Sequence, residues 1–265
     1  MFPELISQPF PIRSFGVMMV VAVLVAVWIS QRRAPQFGLK QEAVWDAALW
    51  MVLPGILGAR LAYILLNWSS YADKPQEIFS LRFEGLTSFG GLVLGFVGLL
   101  VWAKRSGTAV WPFLDTVAPG VLVAQAIGRV GCLLNGCCYG RPTDAWFGVH
   151  FHGQTAKHVP AQIVDTFLML GAALAIVLWE RRGKAAVGQA FALMIVGYGV
   201  SRFVYEFFRA GTVEEMRAGI ASSAYLGALP ITGAQLFALA MAALGVVLYF
   251  SRVAKKSGVV TAQPT

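Results

Sequence analysis

Long apolar runs separated by short polar clusters set the pattern of this chain. Seven stretches of mostly apolar residues, at about 14–30, 43–66, 90–103, 113–134, 162–179, 188–208 and 231–250, stand out against the polar connections. A helix needs about 17 to 25 such residues to cross a hydrocarbon core of about 30 Å. The third run falls short of that length unless Ser88 and Phe89 extend it. The first is not a cleavable signal: it lacks a basic leading segment and a small-residue cleavage site, and Arg32 and Arg33 follow it directly. The pattern predicts an all-α, polytopic membrane protein of about seven transmembrane helices, forming a single membrane-embedded domain over residues 1–265. No internal repeat, low-complexity tract or second soluble domain interrupts it.

Composition agrees with that reading and excludes an ordinary soluble domain. Apolar residues make up 57% of the chain and charged residues 13%, against about 25% charged in an average soluble domain. Three cysteines, two of them adjacent, exclude a disulfide scaffold. The net charge of +8 raises the question of nucleic acid, which the distribution of charge answers. Eleven Lys and Arg residues (Arg32, Arg33, Lys40, Lys104, Arg105, Arg181, Arg182, Lys184, Arg252, Lys255 and Lys256) fall in the connections on one side of the membrane. Seven (Arg13, Lys74, Arg82, Arg141, Lys157, Arg209 and Arg217) fall on the other. The richer side carries only Glu42 and Glu180 as acids and has its cations tight against helix ends. The positive-inside rule then places that side in the cytoplasm, with the N-terminus outside and the C-terminus inside. The basic excess is a matter of topology, and nucleic acid is not expected as a partner. The longer connections, about 67–89, 135–161 and 209–230, form a small outer head, so function is expected to face outward.

Three further basic residues, Arg60, Arg129 and Arg202, lie inside the spans. An arginine at membrane depth costs at least about 2.5 to 3.5 kcal/mol on insertion scales, so each marks either interhelical glue or a site with a partner. Arg202 stands in YGVSRFVYEFFR, where Glu206 and Arg209 follow at helical spacing, and Glu206 is expected to bridge both cations. The net +1 of that stripe suits an anionic guest that forked donors can hold, such as a phosphate. Arg129 stands in GRVGCLLNGCCYGR, where glycines at 128, 131, 136 and 140 permit close backbone approach. With Asn135, they would leave backbone amides free for a ligand as the helix breaks near the outer surface. Cys132, Cys137 and Cys138 have poor spacing for a metal, with no CxxC pair and two adjacent residues, and no metal site is expected. Small packing residues or an outer-face disulfide remain as readings of the three.

Those elements together resemble the prolipoprotein diacylglyceryl transferases, bacterial inner-membrane enzymes with seven helices. The resemblance covers nearly the whole chain: IRSFG before the first helix, GARLAY in the second, SFGGLVLG opening the third, GRVGCLLNGCCYGR, PAQIVD opening the fifth, YGVSRFVYEFFR in the sixth and ITGAQ opening the seventh. It implies transfer of the diacylglyceryl group of phosphatidylglycerol to the lipobox cysteine thiol of preprolipoproteins, with release of glycerol phosphate. By motif, Arg129 and Arg202 match the arginines assigned to lipid phosphate binding and catalysis, and Glu206 and Arg209 match their helical companions. Asn135 matches the signature asparagine, and Asp165 stands where the family usually has glutamate. Catalytic roles are expected at Arg129, Arg202 and Glu206; substrate binding is expected at Arg129, Asn135, Arg60, Arg209, Gly90, Gly91 and Asp165. Implied partners are phosphatidylglycerol, preprolipoprotein signal peptides and membrane lipid, with no cofactor.

The chain also departs from that pattern. Phe89 stands where the family normally has a histidine before two glycines, and Phe15 where it has a tyrosine before glycine; Cys132 and Cys137 replace the signature's usual Asn and Glu. The phosphate-binding half of the site is retained and the proton-handling half is altered. His150, His152 and His158 fall in the outer connection before the fifth helix and read as surface histidines, or as one reaching the mouth of the pocket. Two other functions stay open on sequence grounds: a diverged phospholipid-dependent transferase with another acceptor, helped by a Cys137 or Cys138 thiolate, and a non-catalytic binder of lipid or signal peptide.

Overall fold

The computed structural model describes residues 4–6, 12–68, 71, 87–183, 186–227 and 229–260. Helices dominate in the order α1 (Ser14–Arg33), α2 (Gln41–Leu66), α3 (Ser88–Ser106), α4 (Val110–Asn135), α5 (Ala161–Glu180), α6 (Gln189–Phe207), the short α7 (Val213–Arg217) and α8 (Gly233–Val260). Short strands pair locally: β1 (Glu4–Ile6) with β2 (Ile12–Arg13), β3 (Val149–His150) with β4 (Lys157–His158), and β5 (Ala210–Gly211) with β6 (Ser223–Ala224). Among the described residues, seven helices are long and apolar enough to cross a membrane, one for each apolar run. Ser88 and Phe89 do extend the third, as its length demanded. Of the connection at 67–89, residues 69–70 and 72–86, with Lys74 and Arg82, lie outside the described residues, as do Lys184 and the side chains of Lys255 and Lys256.

The chain divides into two compact bodies, each taken by itself: Ala34–Phe113, and Met1–Arg33 with Leu114–Thr265. In the first, α2 and α3 meet along glycines. A Cβ on Gly58 would strike the Gly90 carbonyl and the Leu94 side chain, and one on Gly90 would strike the Gly58 carbonyl and Ala62. A Cβ on Gly91 would sit 3.2 Å from the Gly55 carbonyl. Lipid tails give apolar helices no drive to associate, so close backbone approach through small residues supplies the contact. Gly90 and Gly91, read from sequence as substrate-binding, therefore have a packing role in this body.

In the second body, Ala118, Leu122 and Ala126 of α4, Met169, Ala173 and Ile176 of α5, and Ala190 of α6 form a core. Helix α1 lies on α4 where a Cβ at Gly131 would fall 2.9 Å from Met18 Cβ, and α8 lies on α6 where one at Gly199 would fall 2.7 Å from the Ala238 carbonyl. At one end of this body Arg33 is buried, and its guanidinium donates twice to Glu180 at 2.7 and 2.9 Å, to the Thr116 carbonyl at 3.0 Å and to the Asp115 carbonyl at 3.0 Å. Asp115 accepts from the Gly188 and Phe191 amides at 2.5 and 2.9 Å, which satisfies the orphan donors at the start of α6. The C-terminal ends of α1 and α5 thus meet the N-terminal ends of α4 and α6. The opposite end holds the other termini of α4, α5 and α6. Val247 and Phe250 of α8 are each more than 60% exposed, as are Leu57 and Leu66 of α2 in the first body, which is the surface expected of helices that face lipid.

Gly58→Leu is expected to lower stability by about 1 to 3 kcal/mol, because a side chain at the glycine seam meets backbone that cannot yield. Gly171→Ala in α5, where nothing stands within 4 Å of an added Cβ, is the control and should leave stability level or slightly raised. Unfolding by heat in detergent measures both.

Candidate active site

The site forms where α4 stops. Asn135 is the last residue of α4, and Gly136 and Cys138 take left-handed backbone angles, φ 72° and 65°. The Cys137 amide donates back to the Cys132 carbonyl at 3.1 Å, closing the turn. The chain then runs between α5 and α6: the Gly140 amide donates to the Val159 carbonyl and the Arg141 amide to the Phe208 carbonyl, both at 2.8 Å. A Cβ at Gly140 would sit 2.6 Å from that Phe208 carbonyl, so a side chain there would push the loop off its anchors. Gln162 Nε2 donates to the Cys137 carbonyl at 2.6 Å and Tyr205 Oη to the Cys138 carbonyl at 2.7 Å. Arg141 pairs with Glu215 at 2.6 Å, tying this loop to the capping box of α7.

Tyr205 is the hub. Its ring is fully buried, and three guanidinium carbons lie around it, those of Arg129 at 4.5 Å, Arg209 at 5.1 Å and Arg202 at 5.2 Å from the ring centre. The negative face of an aromatic ring attracts a cation, but three cations at one ring repel each other and need counter-charge. Two buried carboxylates supply part of it. Asp165 pairs with Arg129 Nε at 2.5 Å and accepts from Ser201 Oγ. Glu206 pairs with Arg202 at 2.9 Å and accepts from Ser223 Oγ, which β6 brings back over the end of α6. Arg209 has no acid within ion-pair distance among the described residues, and its buried Nε has no hydrogen-bond partner. Among the carboxylates, then, two answer three cations, and Arg209 is the cation left without one.

The expected bridge from Glu206 to both Arg202 and Arg209 is therefore corrected: only Arg202 is paired. Helix α6 ends at Phe207, and the turn beyond it, with the Arg209 amide on the Glu206 carbonyl at 3.0 Å, carries Arg209 off the face that a continued helix would have given it. Arg129, Arg202, Glu206, Arg209 and Asp165 come together, and Asn135 stands at the end of α4 where the loop begins. Arg60 lies on α2 and Gly90 and Gly91 on α3, in the other body, where the Arg60 guanidinium stands 5.7 Å from the Tyr71 ring.

The cysteines and histidines also depart from expectation. All three cysteines are free, so the disulfide reading does not hold, and their sulfurs converge within 4.8 Å of one another in spite of the unpromising spacing. Hydrogen bonds with the Cys132 and Cys137 thiols, opposed by burial and helped by the Arg209 and Arg129 charges, hold the Cys138 thiol well below the ordinary cysteine range. His158 is not a surface residue. It is buried, with Nδ1 2.9 Å from the Gly140 carbonyl and its ring against Tyr139. His150 and His152 are exposed.

A sequence model of the family described as prolipoprotein diacylglyceryl transferase matches residues 3–251. The chain belongs to that family. It is 33% identical over 210 residues to the phosphatidylglycerol–prolipoprotein diacylglyceryl transferase of Enterococcus faecalis, covering 75% of this chain and 76% of that one. The protein of the same name in Clostridium tetani is 32% identical over 203 residues, covering 75% and 81%. One of Streptomyces coelicolor is 33% identical over 209 residues, and there the match covers 76% of this chain but 61% of the relative. As a member of a transferase family with seven helices able to cross a membrane, the chain is a multi-pass membrane enzyme.

Within this transferase, sequence reading missed Tyr205, Ser201, Ser223 and Gln162. Tyr205 had a signal: it lies three residues after Arg202 and four before Arg209, on the same helical face. Ser223 had none, since it arrives from a separate strand. Tyr205→Phe keeps the ring for the three arginines but leaves the Cys138 carbonyl without its donor. It is expected to cost about 1 to 3 kcal/mol of stability, and Tyr205→Leu more, because the cations then lose the ring between them. Denaturant unfolding of the purified variants checks the order.

Proposed function

We propose that this chain transfers the diacylglyceryl group of phosphatidylglycerol to the lipobox cysteine of preprolipoproteins, acting as a single membrane-embedded domain in the bacterial inner membrane. The N-terminus faces outward, the C-terminus the cytoplasm, and the arginine cluster the outer half. The observation that carries this reading is the set of three guanidiniums around Tyr205, of which Arg209 has no carboxylate and a buried Nε in need of an acceptor. A phosphodiester supplies one negative charge and two free oxygens, which matches both needs. The names of the relatives add the chemistry to which such a phosphate would belong.

In this reading Arg129, Arg202 and Arg209 hold the lipid phosphate, Asp165 and Glu206 fix the planes of the first two guanidiniums, and Asn135 keeps the loop in place. The acceptor thiolate attacks the lipid carbon that carries the phosphate. A carbon–sulfur bond forms, the carbon–oxygen bond breaks, and glycerol phosphate leaves with the second negative charge that develops on it. Pre-placed cations in a water-poor site stabilise that charge more than they stabilise the diester, which is what accelerates the step. Gly90 and Gly91 act through the packing of α3 against α2. No histidine joins the cluster: His158 is committed to Gly140, and His150 and His152 are exposed. The acceptor thiol then relies on its own ionisation, which at a pKa near 8.5 is already a few per cent at neutral pH.

Reconstitution with phosphatidylglycerol labelled in its head-group glycerol and a lipobox peptide tests the proposal by release of glycerol phosphate and gain of the diacylglyceryl mass on the peptide. Phosphatidylglycerol binding without either product would reduce the chain to a binder. Arg129→Lys, Arg202→Lys and Arg209→Lys should each lower turnover by about 10²-fold or more, because an ammonium cannot make a forked contact. Near-normal turnover in the lysine variants would refute the clamp. Single-turnover rates are expected to climb with pH toward the acceptor thiol's own pKa of about 8.5, instead of levelling near the 6.5 of a histidine base.

A further inference from the structure

Cys132 lies in the last turn of α4, and Cys137 and Cys138 lie beyond its end. Their three sulfurs are nonetheless all within 4.8 Å of one another, with Cys137 and Cys138 3.5 Å apart. The convergence is imposed by groups other than the cysteines. Gly136 and Cys138 reverse the chain, and Cys138 is the only non-glycine residue with positive φ among the described residues. That conformation costs about 1 to 2 kcal/mol for a residue with a Cβ, and it persists here because both neighbouring carbonyls are held from outside. Gln162 anchors that of Cys137 and Tyr205 that of Cys138. The sulfurs are thus placed before any ligand arrives.

Three sulfurs each about 2.3 Å from a central ion, in one plane with it, stand about 4 Å apart. The observed triangle, with one edge of 3.5 Å and none longer than 4.8 Å, brackets that size. No histidine or carboxylate completes the set among the described residues, so the site offers three soft donors and no hard one. Zinc favours four ligands, whereas monovalent copper is soft and suits thiolates. Three thiolates around a monovalent ion carry a net charge of −2, which is costly at the edge of a membrane unless cations stand by. Arg129 and Arg209 stand by, their guanidiniums 4.5 and 5.1 Å from the ring of Tyr205, whose hydroxyl holds the Cys138 carbonyl.

The geometry points to a three-thiolate site at Cys132, Cys137 and Cys138 for a soft, thiophilic cation, for which monovalent copper is the test ion. Binding forms three copper–sulfur bonds and releases the thiol protons to solvent. The metal enters and stays as Cu(I), so no electron is transferred. This assignment does not depend on what reaction the arginine cluster performs.

The test uses the full chain purified anaerobically in detergent and titrated with Cu(I) against a coloured chelator. One copper per chain is expected, with a thiolate-to-copper charge-transfer band in the ultraviolet and an X-ray absorption spectrum fitted by three sulfurs. Cys132→Ser, Cys137→Ser and Cys138→Ser should each weaken binding by at least about 100-fold, beyond the 10- to 100-fold typical when only an outer-shell partner is changed. Zn(II) at equal concentration should not compete. Should a serine variant fail to fold, capping the thiols of the wild-type protein with a small methylthiolating reagent must abolish copper uptake. The assignment is overturned by copper uptake that survives capping or the triple serine variant. It is also overturned by two-sulfur coordination unchanged in Cys132→Ser, by equal affinity for zinc, or by a disulfide among the three cysteines in the anaerobic protein.

Discussion

Charge balance at one buried ring governs the end of the larger body where α4 and α6 stop. Three guanidiniums surround Tyr205 and only two carboxylates answer them. In low dielectric such an arrangement tolerates neither removal of an acid nor a vacant place for an anion at little cost. The rest of the site follows from keeping it in position. Asp165 and Glu206 are essentially inaccessible, and each uses its other oxygen on a serine hydroxyl, Ser201 or Ser223. The carboxylates are thereby held by two partners and cannot swing toward Arg209. That is why the excess charge collects on Arg209 instead of being shared across the cluster.

The same hub positions the loop after α4. Tyr205 gives its ring to the cations and its hydroxyl to the Cys138 carbonyl, so a single side chain couples the electrostatic cluster to the backbone turn that carries the cysteines. Gln162, one turn before the phase of Thr166 and Asp165 on α5, does the same for Cys137. The far end of this body shows the other solution to a buried cation. Arg33 is fully met by Glu180 and two carbonyls and has no charge to offer. Its neighbourhood joins helices, whereas the buried Nε of Arg209 has no partner among the described residues.

Hydropathy made the seven helices legible, because a span is set by bilayer thickness and shows in any one-dimensional reading. The arginine stripe was legible as well, since Arg202, Tyr205, Glu206 and Arg209 share a helical spacing. Reading it as a continuous helix assigned Glu206 to two cations, and the end of α6 at Phe207 undid that. Arg33 shows what a charge count does not carry. At the end of α1 it is buried in an ion pair with Glu180, 147 residues away, a contact with no local signature. Gly90 and Gly91 were credited to substrate because of the motif they sit in, and only the partner helix shows that their missing side chains admit Gly58 and Gly55. The burial of His158 and the convergence of the cysteines have one cause: a loop that folds against α5 and α6, whose geometry is not encoded by periodicity.

The substitutions in the signature acquire a common physical sense from the charge count. By resemblance, position 137 ordinarily carries a glutamate, whose carboxylate would bring the cluster around Tyr205 to neutrality before any lipid arrives. In this chain the same position carries a thiol, and Cys132 replaces a neutral amide with another. The protein thus keeps its cations while giving up a fixed anion, which leaves a standing positive charge that the fold has to tolerate. Polarisable sulfur is suited to that setting, because a thiol beside guanidiniums can yield its proton and supply negative charge when the anion site is empty. Of the three, Cys138 is the one placed to do so, its thiol held well below the ordinary cysteine range. The reversed backbone at Cys138, with its carbonyl held by Tyr205, is what brings that conditional charge within reach of Arg129 and Arg209.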